Sequence, residues 1–432
     1  MPSNQRQLDN PREFLNALFA KAVEAADPAH CLPTYLPSPP KGRTIVVGAG
    51  KAAASMAKAV EDNWQGPIDG LVVTRYEHGL DCKIIEVVEA AHPVPDEKGI
   101  DAAKHILQMV SGLTKDDLVL CLISGGGSAL LSMPAAGITL AEKQSINRQL
   151  LKSGAPIDAM NTVRKHLSAI KGGRLASAAY PARVVTLAIS DVPGDDPAII
   201  ASGPTVFDTS TPQDALAILH EYNIDMPASI VKHLANVSSI PAVNKSHPDS
   251  QYQMIATPHS SLEAAARYCL DSGVRPLILG DAIEGEARGV AANMAAFIRD
   301  FSASTLSGDW PVAVLSGGET TVTVKGNGRG GRNAEYLLAL GLALDHNPNI
   351  YSIACDTDGI DGSEDNAGAY WGPDTLQRAN SLGINPQAML ENNDGYGFFS
   401  QLEDLIITGP TRTNVNDFRA SLVLCRSAQP SG

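Results

Sequence analysis

The chain has 432 residues, a formal net charge of −14 and only 5% aromatic residues. At roughly 100–200 residues per domain it holds two to three domains, and its 44% hydrophobic and 19% charged residues exclude a disordered, collagen-like or coiled-coil chain. So acidic a chain repels phosphate backbones, which argues against nucleic acid as a partner, and no apolar run reaches the ~18 residues of a membrane span.

In chain order, Asn10 is placed to cap and Pro11 to open a first helix with Phe14, Leu15, Leu18 and Phe19 on its apolar face. No signal-peptide core precedes it. The Pro-rich stretch CLPTYLPSPPKG then separates it from the main fold. From Arg43 strands and helices alternate: TIVVGAG is a strand and turn, KAAASMAKAVEDNW a helix, LVVT and KIIEVVEAA strands, EKGIDAAKHILQMV a helix and LVLCLIS a strand. Thr139 and Glu142 form a capping box, and VVTLAIS is the next strand. This alternation predicts an α/β protein with a parallel, three-layer sheet. The polar stretch around Asn236–Tyr252 divides the chain into expected domains 1–245 and 246–432. In the second, QMIAT, PLILG, PVAVLSGG, the alternating ETTVTVKG and YSIAC read as strands, and GRNAEYLLALGLAL as a helix. The six cysteines, Cys31, Cys82, Cys121, Cys269, Cys355 and Cys425, form no CxxC pair and are expected to be buried free thiols of a cytoplasmic protein.

Ligands of open α/β sheets bind beyond the carboxyl ends of the strands, so the loops there are the candidate sites. Gly48–Ala53 fits the G-x-G-x-x-A dinucleotide variant, with Arg75 ending the next strand. Lys51 would point at a bound anion. A phosphate-loop motif fails, since it needs Gly at Ile45 and Ser or Thr at Ala52. Ser124, Gly125, Gly126, Gly127 and Ser128 offer backbone amides and hydroxyls to a phosphate chain. Asp191, Asp195 and Asp196 suit a catalytic base or a divalent cation. Arg329, Arg332 and Asn333, among glycines at a helix start, suit a bidentate grip on carboxylate or phosphate. Asp356, Asp358 and Asp361 mimic the opening of an EF-hand but misalign with it, leaving a divalent-ion or hydroxyl site. Asn161, Arg164, Lys165 and His166 crowd one segment, where Asn161, Lys165 and Ser168 would share a helix face that could line an anion pocket.

Together the segments VGAGKAAASMA, EAAHPVPDEKG, LISGGGSALL, MNTVRKHLSAIKGGRLA, LAISDVPGDDPAIIASGPT, LSGGETTVTVKGNGRGGRNAEYLLAL and ACDTDGIDGSEDNAGA resemble the glycerate 2-kinase family with a C-terminal MOFRL domain. The segments lie between residues 47 and 369, and the resemblance extends over about residues 12–425. The resemblance implies a Rossmann-like N-terminal domain, a smaller α/β C-terminal domain and an active site in the cleft between them. It implies transfer of the ATP γ-phosphoryl group to the 2-hydroxyl of D-glycerate with Mg²⁺, giving 2-phosphoglycerate. It places the catalytic lysine at Lys51 and the catalytic arginine at Arg332, with Arg329 the competing match, and puts Asp191 beside the substrate hydroxyl. Gly50, Ser124–Ser128, Arg329 and Asn333 would bind substrate or phosphate; Asp191, Asp356 and Asp358 are the candidate metal ligands. The expected partners are D-glycerate and ATP, and a homo-oligomer is compatible with the sequence. Similar sequences are also labelled hydroxypyruvate reductase, so NAD(P)H-dependent reduction of hydroxypyruvate is the alternative. That reaction would need one dinucleotide site and an acid, and would leave Ser124–Ser128 without a role.

Overall fold

A computed structural model describes residues 10–236, 248–305, 311–345 and 347–424; Cys425 and most of the expected linker lie outside them. The chain divides into two compact units, Pro28–Ile255 and a second made of the chain up to Asp27 together with Ala256 onward. The expected division at 245/246 therefore differs from the structural one in two respects. The first helix belongs with the C-terminal residues, and the strand read as opening the second domain completes the first sheet.

In the first unit, β1 (Thr44–Ala49), β2 (Asp69–Arg75), β3 (Glu86–Ala90), β4 (Leu118–Ile123), β5 (Arg183–Ile189) and β6 (Gln251–Ala256) form one sheet in the order β3-β2-β1-β4-β5-β6. The pairs from β3 through β5 are parallel, as the alternation predicts. Strands β1 and β4 are buried at every residue, which is why they read as continuous apolar runs rather than alternating ones. A core of Ile45, Val47, Val119, Cys121 and Ile106 packs helices onto the sheet. A second core, with Ile146, Leu150, Val163 and Leu219, sits among the helices between Leu140 and Ala235. The helix Leu140–Ser153 opens with the expected capping box, Glu142 N–H donating to Thr139 Oγ1 at 3.2 Å.

In the second unit, β7 (Arg275–Gly280), β9 (Val312–Gly318), β11 (Ile350–Asp356), β12 (Gly368–Trp371), β13 (Leu405–Ile406) and β14 (Asp417–Val423) run in the order β13-β12-β11-β14-β9-β7. Only β7 and β9 pair in parallel; the other four contacts are antiparallel. The sheet is thus mixed. ETTVTVKG does not form the expected strand: Thr320–Thr321 alone (β10) pairs with Gly285–Glu286 (β8), because alternation defines a strand only where a partner supplies a ladder. The helix Pro11–Ala25 is capped by Asn10 as expected. Its Phe14 stacks on Tyr268 and its Phe19 meets Phe418, which explains its place in this unit. Cys121, Cys269 and Cys355 are buried free thiols, whereas Cys31 and Cys82 are partly exposed. No helix among the described residues is long and apolar enough to cross a membrane.

Candidate functional site

Strand register brings three of the expected elements side by side. Ala49 pairs with Ile123, and Ile123 with Ala188, so Gly50–Lys51, Ser124–Ser128 and Ser190–Asp191 emerge together beyond the carboxyl ends of β1, β4 and β5. The first two loops are clamped to each other. Gly50 N–H donates to Val73 O at 3.0 Å, Lys51 N–H to Gly125 O at 2.8 Å, Ala52 N–H to Ser124 Oγ at 3.0 Å and Ala53 N–H to Gly50 O at 3.1 Å. Gly50 has φ of 144°, and a Cβ on it would lie 2.1 Å from Ser124 Oγ. The glycine is therefore required by close approach of the two loops. These four amides are used inside the protein, so the turn does not cradle a pyrophosphate in the way the dinucleotide fingerprint does.

Gly126 adopts a left-handed conformation, φ 78°. A Cβ there would lie 3.0 Å from His92 Nε2 and 3.4 Å from Lys51 Cγ, so the glycine lets the Lys51 stem and the His92 ring converge on the loop. Burial and the nearby charges of Lys51 and Arg75 push the His92 pKa down to about 4, leaving a neutral ring at pH 7. Ser128 Oγ lies 2.8 Å from Ser202 Oγ and 2.6 Å from the ammonium of buried Lys171. The Ser124–Ser128 run is followed by only one helical turn, Gly127–Leu130.

A cavity of about 220 Å³ opens beside Gly126 and Ser128, and Lys143, Arg164 and Lys171 reach into it. Arg164 and Lys171 both belong to the segment MNTVRKHLSAIKGGRLA, but only Arg164 is read there as a candidate. Lys143 and Lys171 carry no sequence signal of their own for an anion; Lys143 stands on the helix Leu140–Ser153 and Lys171 beyond the end of the helix that carries Arg164, and the fold brings the three together. The expected face of Asn161, Lys165 and Ser168 does not form. The helix ends at His166, Lys165 and His166 face Asp208, each at 3.6 Å, and Ser168 Oγ bonds Met133 O. Asn161 instead accepts from Arg164 at 3.3 Å.

Asp191 follows buried Ser190 directly and is half-buried. Asp195 and Asp196 belong to a turn: Asp195 N–H donates to Val192 O, and Asp196 Oδ1 accepts from Ala198 N–H at 2.9 Å.

The second unit gathers its expected residues differently. Arg332 opens the helix Arg332–Leu344. It pairs with Asp356 and Asp417, each at 2.8 Å, and with Glu319 at 3.2 Å, and the two aspartates hold its guanidinium well above its usual pKa despite burial. Buried Asp361 caps this helix, accepting from Asn333 N–H at 2.9 Å and Ala334 N–H at 2.8 Å. Asn333 Nδ2 also donates to Asp417 at 2.8 Å. The helix start read as a grip for an external anion thus already holds an internal one. Burial, with Asp417 and Asp356 adding repulsion, pushes the Asp361 pKa up to about 7 against the two amides that favour its charge. Arg329 is exposed, paired with Glu364 and laid 4.5 Å over the Tyr396 ring. Asp356 accepts from Arg332 and from Asp358 N–H, and Asp358 Oδ1 from Ile360 N–H. Among the described residues no group of three or more His, Cys, Asp or Glu could hold a metal ion. With Asp356 already neutralised by Arg332, the donor set does not fit a protein-built Mg²⁺ site.

Comparison with known proteins now bears on this geometry. A family model described as a domain of unknown function (DUF4147) matches residues 14–235, and the MOFRL family model matches 312–417. A putative hydroxypyruvate reductase of Agrobacterium vitis is 51% identical over 415 residues, covering 95% of this chain and 94% of the relative. The D-glycerate 2-kinase of Thermotoga maritima is 38% identical over 417 residues, covering 94% and 97%. A crystal structure of glycerate kinase from that organism matches with a TM-score of 0.87 at 37% identity, over 95% of this chain and 99% of the other. The resemblance drawn from the motif loops is thereby borne out: the chain belongs to the glycerate 2-kinase family, with a DUF4147 region followed by a MOFRL region.

Proposed function

We propose that the protein transfers the γ-phosphoryl group of ATP to the 2-hydroxyl of D-glycerate, giving 2-phosphoglycerate and ADP. The observation that carries this reading is the register that sets Lys51, the Ser124–Ser128 loop and Asp191 side by side at the ends of β1, β4 and β5. Phosphoryl transfer needs positioning and charge stabilisation more than covalent chemistry. In this reading Asp191 accepts the proton of the attacking hydroxyl, whose oxygen bonds to the γ-phosphorus as the bond to the β–γ bridging oxygen breaks. Lys51 meets the negative charge on the transferred group. Arg332 turns to a substrate anion only by giving up Glu319, the exposed member of its three partners. Mg²⁺, if it accompanies ATP, is carried mainly by the nucleotide phosphates, since Mg²⁺ commonly binds through one or two carboxylates plus phosphate oxygens.

The reductase reading is favoured by the name of the Agrobacterium vitis relative. Against it, the Gly50–Ala53 amides that a dinucleotide pyrophosphate would use are bonded within the protein. Two parallel assays on purified protein separate the readings. One follows ATP consumption with D-glycerate and Mg²⁺, the other NAD(P)H consumption with hydroxypyruvate. Turnover in the first arm is expected; turnover confined to the second would replace the kinase reading with the reductase one.

A further inference from the structure

The cavity beside Gly126 is cationic without a counter-charge. Lys171 is 2% exposed, and its ammonium donates to the carbonyl and hydroxyl oxygens of Ser128. Arg164 is held by neutral amide oxygens, Asn147 Oδ1 at 2.7 Å and Asn161 Oδ1 at 3.3 Å. Lys143 donates to Ser132 Oγ at 3.4 Å. Among the described residues no Asp or Glu lines the cavity, and the nearby Asp208 is taken by Lys165 and His166. Gathering one buried and two half-buried cations is costly unless an anion joins them. Their titration agrees: burial and the Arg164 charge push Lys143 down to about 8, and burial with the charges of Lys143 and Arg164 lowers Lys171 well below its usual value.

Apolar Ile146, Leu150, Val163 and Leu167 line the rest of it. At about 220 Å³ the space suits a three- or four-carbon acid, and is small for a nucleotide when ligand pockets commonly run to ~300–1,000 Å³. Gly126 belongs to the cavity lining, and a Cβ on it would lie 3.4 Å from Lys51 Cγ. We propose that this cavity is the carboxylate-binding pocket of the acceptor: Lys143, Arg164 and Lys171 hold the carboxylate of a small hydroxy acid, and its hydroxyl faces the Gly126–Lys51 end. The assignment of the hydroxyl rests on the kinase reading; the carboxylate pocket itself does not. A fork-shaped guanidinium with two ammonium groups selects a carboxylate over a neutral polyol of the same size.

The test titrates D-glycerate, malonate and glycerol calorimetrically into the full-length wild type, Arg164→Ala and Lys143→Ala, with and without ADP. Melting temperatures establish that each variant is folded; should Arg164→Ala fail to fold, Arg164→Gln takes its place. Lys171 is left intact because it also braces Ser128. The expected result is carboxylate binding by the wild type, at least tenfold weaker in each variant, and no binding of glycerol. KM for D-glycerate should rise in step while KM for ATP stays unchanged. Wild-type affinity in both folded variants, a loss confined to ATP, or no carboxylate binding by the wild type in either condition would overturn the pocket. If the wild type binds carboxylates through Arg164 but transfers no phosphoryl group to D-glycerate, the pocket stands and the kinase reading falls. Turnover with an unchanged KM for D-glycerate in the variants gives the reverse.

Discussion

The two glycine-rich turns that precede helices look alike in sequence and are opposite in electrostatics. At Gly48–Ala53 the glycine permits a second loop to close on the first, and the nearby cations outnumber the carboxylates: Lys51 stands there, with Lys143, Arg164 and Lys171 around the adjoining cavity. At Gly328–Asn333 the carboxylates outnumber the cations: Asp356, Asp417, Glu319 and Asp361 surround Arg332 and its helix start. A turn of glycines with a basic residue therefore signals close backbone approach in both places. Which charge is left over is decided by side chains far along the chain, such as Asp361 and Asp417. The proposed function has the first region receive an anion; the second already contains its own.

The sharpest way to break this contrast is to remove the charge nearest the first turn. Lys51→Ala should lower kcat by about 10²–10³, or ~2.7–4 kcal/mol, the usual cost of one preorganised electrostatic group. Its melting temperature should hardly move, since such partly exposed positions contribute within about 0.5 kcal/mol. Steady-state kinetics and a thermal melt on the same preparation check both halves. Unchanged turnover would make the lysine a solvated one. Gly50→Ala tests the clamp itself. The new Cβ would meet Ser124 Oγ at 2.1 Å and its carbonyl oxygen at 2.6 Å, on a residue with φ of 144°. Overpacking of about 1–3 kcal/mol, with backbone strain of similar size, should lower the urea midpoint; an unshifted midpoint would show that the two loops are not held together.

The two regions should also answer pH in opposite directions. His92 has its pKa lowered to about 4 from 6.5, so the unfolded chain takes up its proton first on acidification. Its contribution is present above about 6.5 and is lost as pH falls toward 4. Asp361 has its pKa raised to about 7 from 3.8, so between those values the folded chain holds a proton the unfolded chain has released. Its contribution is present at low pH and is lost as pH rises from about 4 to 7. Urea unfolding across this range should therefore show a steeper rise of stability with pH in Asp361→Asn and a shallower one in His92→Gln than in the wild type. Identical slopes in all three would contradict both assignments. Asp361→Ala should in addition cost about 0.5–2 kcal/mol for the lost helix cap. The smallest effect is expected at Arg329, whose exposed pair with Glu364 is screened by solvent and contributes little. Arg329→Ala should leave kcat intact, and a large fall would move the catalytic role proposed for Arg332 to Arg329.

Much of this was legible in the sequence where the signal is local. Asn10 with Pro11 and Thr139 with Glu142 mark helix starts through bonds three residues long, and the strand-and-helix rhythm of the first unit follows from burial on both faces of a parallel sheet. What escaped depends on partners distant in sequence. Nothing in QMIAT says that it pairs beside β5, and rhythm alone does not fix strand direction, so the mixed order of the second sheet is not legible in the sequence. The spent amides at Lys51 and Ala52 depend on Gly125 and Ser124, and the filled helix start at Asn333 on Asp361, 28 residues away. Lys143 lies on a separate helix and joins Arg164 and Lys171 in one feature only when the fold brings them together.

The central claim is that the cation-rich edge of the first sheet transfers phosphoryl groups. Phosphorus NMR of wild type and Lys51→Ala, each with ATP, Mg²⁺ and D-glycerate, tests it most directly. The wild type should convert ATP to ADP with a matching 2-phosphoglycerate signal, and the variant should form the same product at least about a hundredfold more slowly. A wild type that forms no phosphoglycerate, or a variant that forms it at the wild-type rate, would contradict the account.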